Sequence, residues 1–154
     1  MDYRIRDSYE NDAHLLAPNL READLEELDA VSHHTPLEVL HTGWRLGAPC
    51  RTFLSEDNKV VGMFGVIPIP YTKDGIVWCL SSPELFKMKM YFMRNCRREI
   101  KEMCEGYEKV SNSVYEKNVT HVCWIKAMGF DMKDTPYPFG RYKKPFYYFE
   151  KVTK

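Results

Sequence analysis

The sequence predicts an α/β (α+β) domain: a mixed, mostly antiparallel central sheet of about six to seven strands flanked by about four helices. Three observations predict it. Short runs rich in β-branched and aromatic residues alternate with segments of helical period along the chain, so strands and helices are interleaved. Turn residues at Asp57-Asn58 and at Lys73-Asp74-Gly75 join three successive strands as hairpins. A long amphipathic segment then precedes the next strand, and a helical crossover of that kind brings parallel pairing into the sheet.

The first strand is read at residues 2–6. A helix follows around "NLREADLEELDAV", where Leu20, Ala23 or Asp24, Leu25 and Leu28 fall near helical spacing with acids on the other face. In "TPLEVLHTGWRL" Thr35 is placed to cap and Pro36 fits the first helical position, which gives a second helix. "CRTFLSE" and "KVVGMFGVIPI" flank the first turn, and "GIVWCLSS" follows the second. Ser82 as cap, Pro83 in the first turn and Glu84 at the positive end of the dipole open the longest helix. Leu85, Met88, Phe92, Cys96, Ile100 and Met103 form its apolar stripe. "KVSNSVYE" is a strand, "NVTHVCWIKAM" a helix, and strands near "FDMKDT" and "KPFYYFEKV" close the chain. No repeat or linker interrupts it, so residues 1–154 are expected to form one domain.

Composition excludes several classes. With 22 basic and 22 acidic residues the formal charge is zero, which argues against a general nucleic-acid binder. The start "MDYRIRDSYE" has no signal-peptide apolar core, and no apolar run approaches the roughly 20 residues of a membrane span, so a soluble intracellular protein is expected. The five cysteines include no C-x-x-C pair, so buried reduced thiols are expected and no metal. The tail "DTPYPFGRYKKPFYYFEK" is rich in aromatics, which either fill the last strands or, at Tyr137, Tyr142, Phe146 and Tyr148, form an interface.

"NVTHVCWIKAMGF" is a short capped helix. Asn118 can accept an N–H of the first turn, Gly129 can end the helix in the left-handed conformation, and Phe130 can fold back on the last turn. A strand followed by this N-x-x-x-x-x-h-h-x-x-x-G-F pattern (h apolar) resembles the last helix of the GNAT N-acetyltransferase superfamily. The element order is similar along nearly the whole chain. "YRIRDSYENDAHLL" looks like that fold's first strand and the start of its first helix, and "NKVVGMFGVIPI" like its V-G-h-h hairpin arm. Within the superfamily, "VWCLSSPELF", the Lys/Arg-rich helix and "SVYEKNVTHVCWIKAMGF" resemble the small GNAT-like proteins of short-tailed phages, the internal virion protein A group. The pairing of Asn118 with His121 is the most specific shared feature.

The resemblance implies an acyl-CoA site, which these residues meet only in part. The superfamily opens its long helix with a Q/R-x-x-G-x-G/A loop whose N–H groups bind pyrophosphate. Here the equivalent "SSPELFKMKMYF" has no glycine, and Pro83 removes a donor. Ser81, Ser82 and Lys87 or Lys89 are the substitutes, with Asn118 a further ligand residue if CoA binds. The family's Tyr acid, four residues before the glycine, corresponds to Ile125, and the fourth strand carries no Glu. Glu84 and His121 are the nearest ionisable catalytic candidates, His121 being weighed against a capping or packing role. Cys79 and Cys123 would be nucleophiles only beside an activating base.

On the long helix Arg94, Arg98 and Lys101 lie on one side, opposite the apolar stripe, as either a solvated face or a partner-binding surface. The resemblance implies a phage-encoded GNAT-fold protein with a degenerate acetyl-CoA site and no expected cofactor. It would act through contacts with virion or host proteins in virion assembly, in the host cytoplasm and on the virion. The alternative is a divergent acyl-CoA-dependent N-acetyltransferase that uses acetyl-CoA on a host protein or small amine.

Overall fold

The computed structural model describes residues 4–87 and 90–153, with the backbone alone described at 90–92. Strand β1 (Arg4–Asp7) leads to α1 (Glu10–Leu16), a 3-10 turn (Ala17–Asn19), α2 (Glu22–Val31) and α3 (Pro36–Leu46). Strands β2 (Cys50–Leu54), β3 (Val60–Pro68) and β4 (Asp74–Ser81) follow. A second 3-10 turn (Pro83–Lys87) and α4 (Met90–Cys104) cross over to β5 (Lys109–Tyr115). Helix α5 (Val119–Ala127) and strands β6 (Asp131–Met132), β7 (Tyr137–Phe139) and β8 (Lys144–Val152) complete the order.

The sheet runs β1-β2-β3-β4-β5-β8-β6, with β7 also on β8, and only β4 and β5 pair in parallel. The expected mixed, mostly antiparallel architecture is present, with eight strands and five α-helices among the described residues. The additional strand, "YPF", contains a proline, which reads as a breaker; it is tolerated on this short strand beside β8. Side chains alternate between two apolar layers. Val77 and Cys79 of β4 join the core under α4 and α5, with Cys96, Ile100, Trp124 and Ile125. Trp78 and Leu80 face the opposite core of Ala13, Leu16, Leu40 and Met63.

Local signals account for several helix ends. Thr35 Oγ1 accepts the Glu38 N–H at 3.2 Å, and Glu38 returns a bond to the Thr35 N–H at 3.1 Å, a complete capping box with Pro36 behind it. At the end of α5 the Gly129 N–H bonds the Lys126 carbonyl and the Phe130 N–H bonds the Ile125 carbonyl, with Gly129 at φ +95°. This is the Schellman arrangement, and Phe130 beyond it is buried, its ring edge-on to Phe149 of β8 with centroids 5.5 Å apart. Gly129→Val would force a β-branched side chain into the left-handed region. It is expected to cost roughly 1–3 kcal/mol, read as a fall in urea midpoint at constant slope. An unchanged midpoint would mean that the turn relaxes freely.

Three expectations are corrected. In α2 Leu25 does not join Leu20 and Leu28 on the inward face, being 39% exposed, and of Ala23 or Asp24 it is Asp24, at 1% exposed, that is buried. The long helix does not open at Pro83, which begins a 3-10 turn, and Ser82 Oγ caps nothing because it has no hydrogen-bond partner among the described residues. Met88 and Lys89 lie outside the described residues. The second hairpin turn falls earlier than Lys73-Asp74-Gly75: Asp74 already belongs to β4, and Tyr71 takes the positive φ. Of the two readings of the aromatic tail, the core one holds for Phe146, which is fully buried against Tyr115 and Phe139.

Candidate functional site

Strands β4 and β5 pair only from Asp74↔Lys109 to Ile76↔Ser111 and then diverge. At the fork the Asn112 side-chain amide donates to the Val77 carbonyl at 2.8 Å, replacing the next ladder bond. At the far ends helix α2 supplies the missing acceptors. Asp24 Oδ2 takes the Ser81 N–H at 3.2 Å, and Glu27 Oε1 takes the Tyr115 N–H at 2.8 Å. Two carboxylates one helical turn apart thus satisfy backbone donors on two strands that no longer reach each other.

Around this clasp lies a buried polar cluster. Arg21 Nη1 donates to Asp24 Oδ1 at 3.0 Å and Nη2 to Asn118 Oδ1 at 3.2 Å, while its guanidinium stacks over Phe86 at 4.6 Å. Asn118 Nδ2 donates to Asp24 Oδ1 at 3.0 Å and to Glu27 Oε1 at 3.4 Å. The amide presents its oxygen to the cation and its nitrogen to the carboxylates. Asn118 does occupy the N-cap position of α5, but its side chain makes no capping bond, which corrects the capping role expected of it. His121 Nδ1 sits 3.8 Å from Asp24 Oδ1 and 3.5 Å from the Asn118 amide.

Burial sets the protonation states. It pushes the Glu27 carboxyl up to about 7, with the neighbouring Asp24 adding to the rise and the bonds from Tyr115 and Asn118 opposing it. Burial holds His121 below the usual histidine value against the pull of Asp24, so the ring is neutral near pH 7. Burial also holds Cys79 well above the ordinary thiol value, so it stays protonated and is no nucleophile. Cys123 is exposed.

A cavity of about 440 Å³ lies at the fork and is lined from both faces of the sheet. Towards α4 and α5 its wall includes Ile100, Met103, His121, Trp124 and Ile125; towards α2 and α3 it includes Glu27, Leu28, Val31, His34 and Trp78. Ile125, buried in that wall, brings no proton donor to it.

Among the residues expected to serve a site, the structure gathers Ser81, Asn118 and His121 at the clasp. Glu84 and Lys87 stand exposed on the 3-10 turn, and Ser82 is buried beneath it. Three N–H groups at and just before this turn are already used. Ser81 donates to Asp24, Ser82 to the Val61 carbonyl at 2.9 Å, and Leu85 to the Ser82 carbonyl. Arg94, Arg98 and Lys101 are exposed along α4, apart from the cavity. Sequence reading missed Arg21, Asp24 and Glu27. Their signal was Leu20, Asp24, Glu27 or Leu28, and Val31, a three-and-four spacing that puts two acids in the inward phase.

No protein-family model and no curated protein matches the sequence. Solved structures do. An acetyltransferase of the GNAT family from Bacillus anthracis aligns with TM-score 0.71 at 11% identity, over 99% of this chain and 96% of that one. Spermidine N-acetyltransferase from Vibrio cholerae, solved with CoA and spermine, aligns with TM-score 0.69 at 12% identity, over 98% and 95%. Ribosomal-protein-S5-alanine acetyltransferase from Vibrio fischeri aligns with TM-score 0.67 at 16% identity, over 100% and 94%. The chain therefore has the GNAT acetyltransferase fold. Among the described residues no helix is long and apolar enough to cross a membrane, and no group of three or more His, Cys, Asp or Glu side chains is placed to hold a metal ion.

Proposed function

We propose that this chain is a divergent acyl-CoA-dependent N-acyltransferase acting on an amine of a protein or small molecule. The observation that carries this reading is the open β4–β5 fork, whose cavity is lined from both faces of the sheet and is bordered by a carboxyl group poised near pH 7. The fork fits a narrow thioester arm, and the thioester supplies the activated acyl carbon. Glu27 lines the α2 side of the cavity and is suited to take the proton of an attacking ammonium group. Calorimetric titration with acetyl-CoA is expected to give a dissociation constant between about 1 μM and 1 mM. Absence of binding at millimolar concentration would overturn the reading.

A second reading has its own support: a non-catalytic GNAT-fold protein acting through protein contacts, such as those of phage virion assembly. The N–H groups of Ser81, Ser82 and Leu85 are consumed internally, so these three donors are not available to a phosphate. Under this reading exposed Arg94, Arg98 and Lys101 dock an acidic partner. Replacing all three with Gln is expected to change stability by less than about 1 kcal/mol per site while slowing salt-sensitive association. Normal phage yield and unchanged co-sedimentation with assembly intermediates would leave the stripe merely solvated.

A further inference from the structure

We propose that the fork takes an unbranched apolar acyl chain several carbons longer than acetyl, a proposal that rests on the acyltransferase reading. The opening in the sheet is bounded on every side. β4 and β5 form its flanks, the Asn112–Val77 bond closes its base, and the carboxylates of α2 cross its top. A slot so framed admits a thin chain and excludes a branched or ring-shaped one. On the α2 and α3 face the space beyond the slot is mostly apolar, walled by Leu28, Val31, Val39, Ile67, Ile76 and Trp78. An acetyl group fills little of it. At roughly 25 Å³ per heavy atom, the scale set by a cavity of about 150 Å³ that takes benzene, its three heavy atoms occupy roughly 75 Å³. Unfilled apolar volume forfeits dispersion contacts on every wall, and a longer chain restores them.

Two further features fit a chain. Val31 and Ile76 line this compartment yet are 38% and 40% exposed, so its outer end is apolar and open to solvent. Of the polar groups on the same face, Glu27, His34, Glu38 and Thr42 come from the helices, and Ser113 of β5 has its hydroxyl bonded to the Tyr137 hydroxyl. That arrangement separates an apolar track from a polar edge at which an amine can approach.

The test titrates straight-chain acyl-CoA esters from acetyl to octanoyl and the matching N-acetylcysteamine thioesters, which lack the nucleotide. Heats are measured alongside the fluorescence of Trp78 and Trp124, both in the cavity wall. Each added CH₂ that enters is expected to tighten binding about fourfold in both series, and a branched acyl group should fall below the straight chain of equal carbon count. Val31→Trp or, should that variant not fold, Ile76→Trp is expected to flatten the rise at a shorter chain. Binding of acetyl-CoA with no gain on lengthening overturns the chain proposal and leaves the acyltransferase reading standing. A rise in the thioester series with no CoA ester bound overturns the CoA requirement and keeps the chain site. No binding in either series overturns both.

Discussion

Asp24→Ala is expected to destabilise the fold by about 3–5 kcal/mol, the range for removing one partner of a buried ion pair. The carboxylate is 1% exposed and accepts from Arg21, Asn118 and the Ser81 N–H at once. Its removal leaves a guanidinium that is only 11% exposed without its counter-ion, and orphans a backbone donor at the end of β4. Urea unfolding followed by tryptophan fluorescence reads the loss. Destabilisation below about 1 kcal/mol would show that water takes over these bonds, and that the clasp does not hold β4 and β5 apart. Replacing Arg21 and Asp24 together with apolar residues of similar volume should cost much less than the single change, because no charge is then left unpaired.

The second large effect belongs to Glu27. Its carboxyl rises from 4.5 to about 7 in the folded protein, so the folded state holds a proton that the unfolded chain releases. The associated stability is therefore full below pH 4.5 and is lost as pH rises through about 7, a change of about 3 kcal/mol. His121 acts in the opposite sense: its value is depressed below 6.5, so its contribution is full above that pH and is lost on acidification. Arg21 and Asp24 face both groups, and their charges are part of each shift. Glu27→Gln should erase the fall in stability between pH 4.5 and 7 and leave the acid limb of His121 in place. Under the proposed acyltransferase reading the same change should slow transfer by about 10²–10⁴-fold, with the rise in wild-type rate through pH 7 disappearing. A stability profile of identical shape in the variant would show that Glu27 does not titrate in this range. A rate profile that kept its rise would assign the proton acceptor elsewhere.

These two groups also show where sequence reading stops. Signals that act over a few residues were legible: the Thr35 cap with Pro36 behind it, the Gly129-Phe130 helix end and the apolar stripe of α4 at Cys96, Ile100 and Met103. Each depends on backbone bonds or contacts within about two helical turns, so the necessary partners are adjacent in the chain. The order of these elements was enough to indicate the GNAT architecture. In α2 Leu25 was read as inward because five acidic residues around two leucines default to a solvated face, and the propensity to bury Leu25 outweighed that of Asp24.

The site required contacts that no local pattern encodes. Asn118 meets Asp24, Glu27 and Arg21 across 94, 91 and 97 residues, and Ser81 meets Asp24 across 57. By itself the sequence determined most of the elements, the Thr35 and Gly129 helix ends and the order of those elements along the chain, since propensity and periodicity are properties of neighbours. Tertiary structure alone decided that β4 and β5 part beyond Ile76 and Ser111, that an acid pair from α2 spans the opening, and that Glu27 is left near neutrality. The physical reason is that a carboxylate enters the interior only where unpaired backbone donors and a cation already await it, and those come from strands folded far away in the chain.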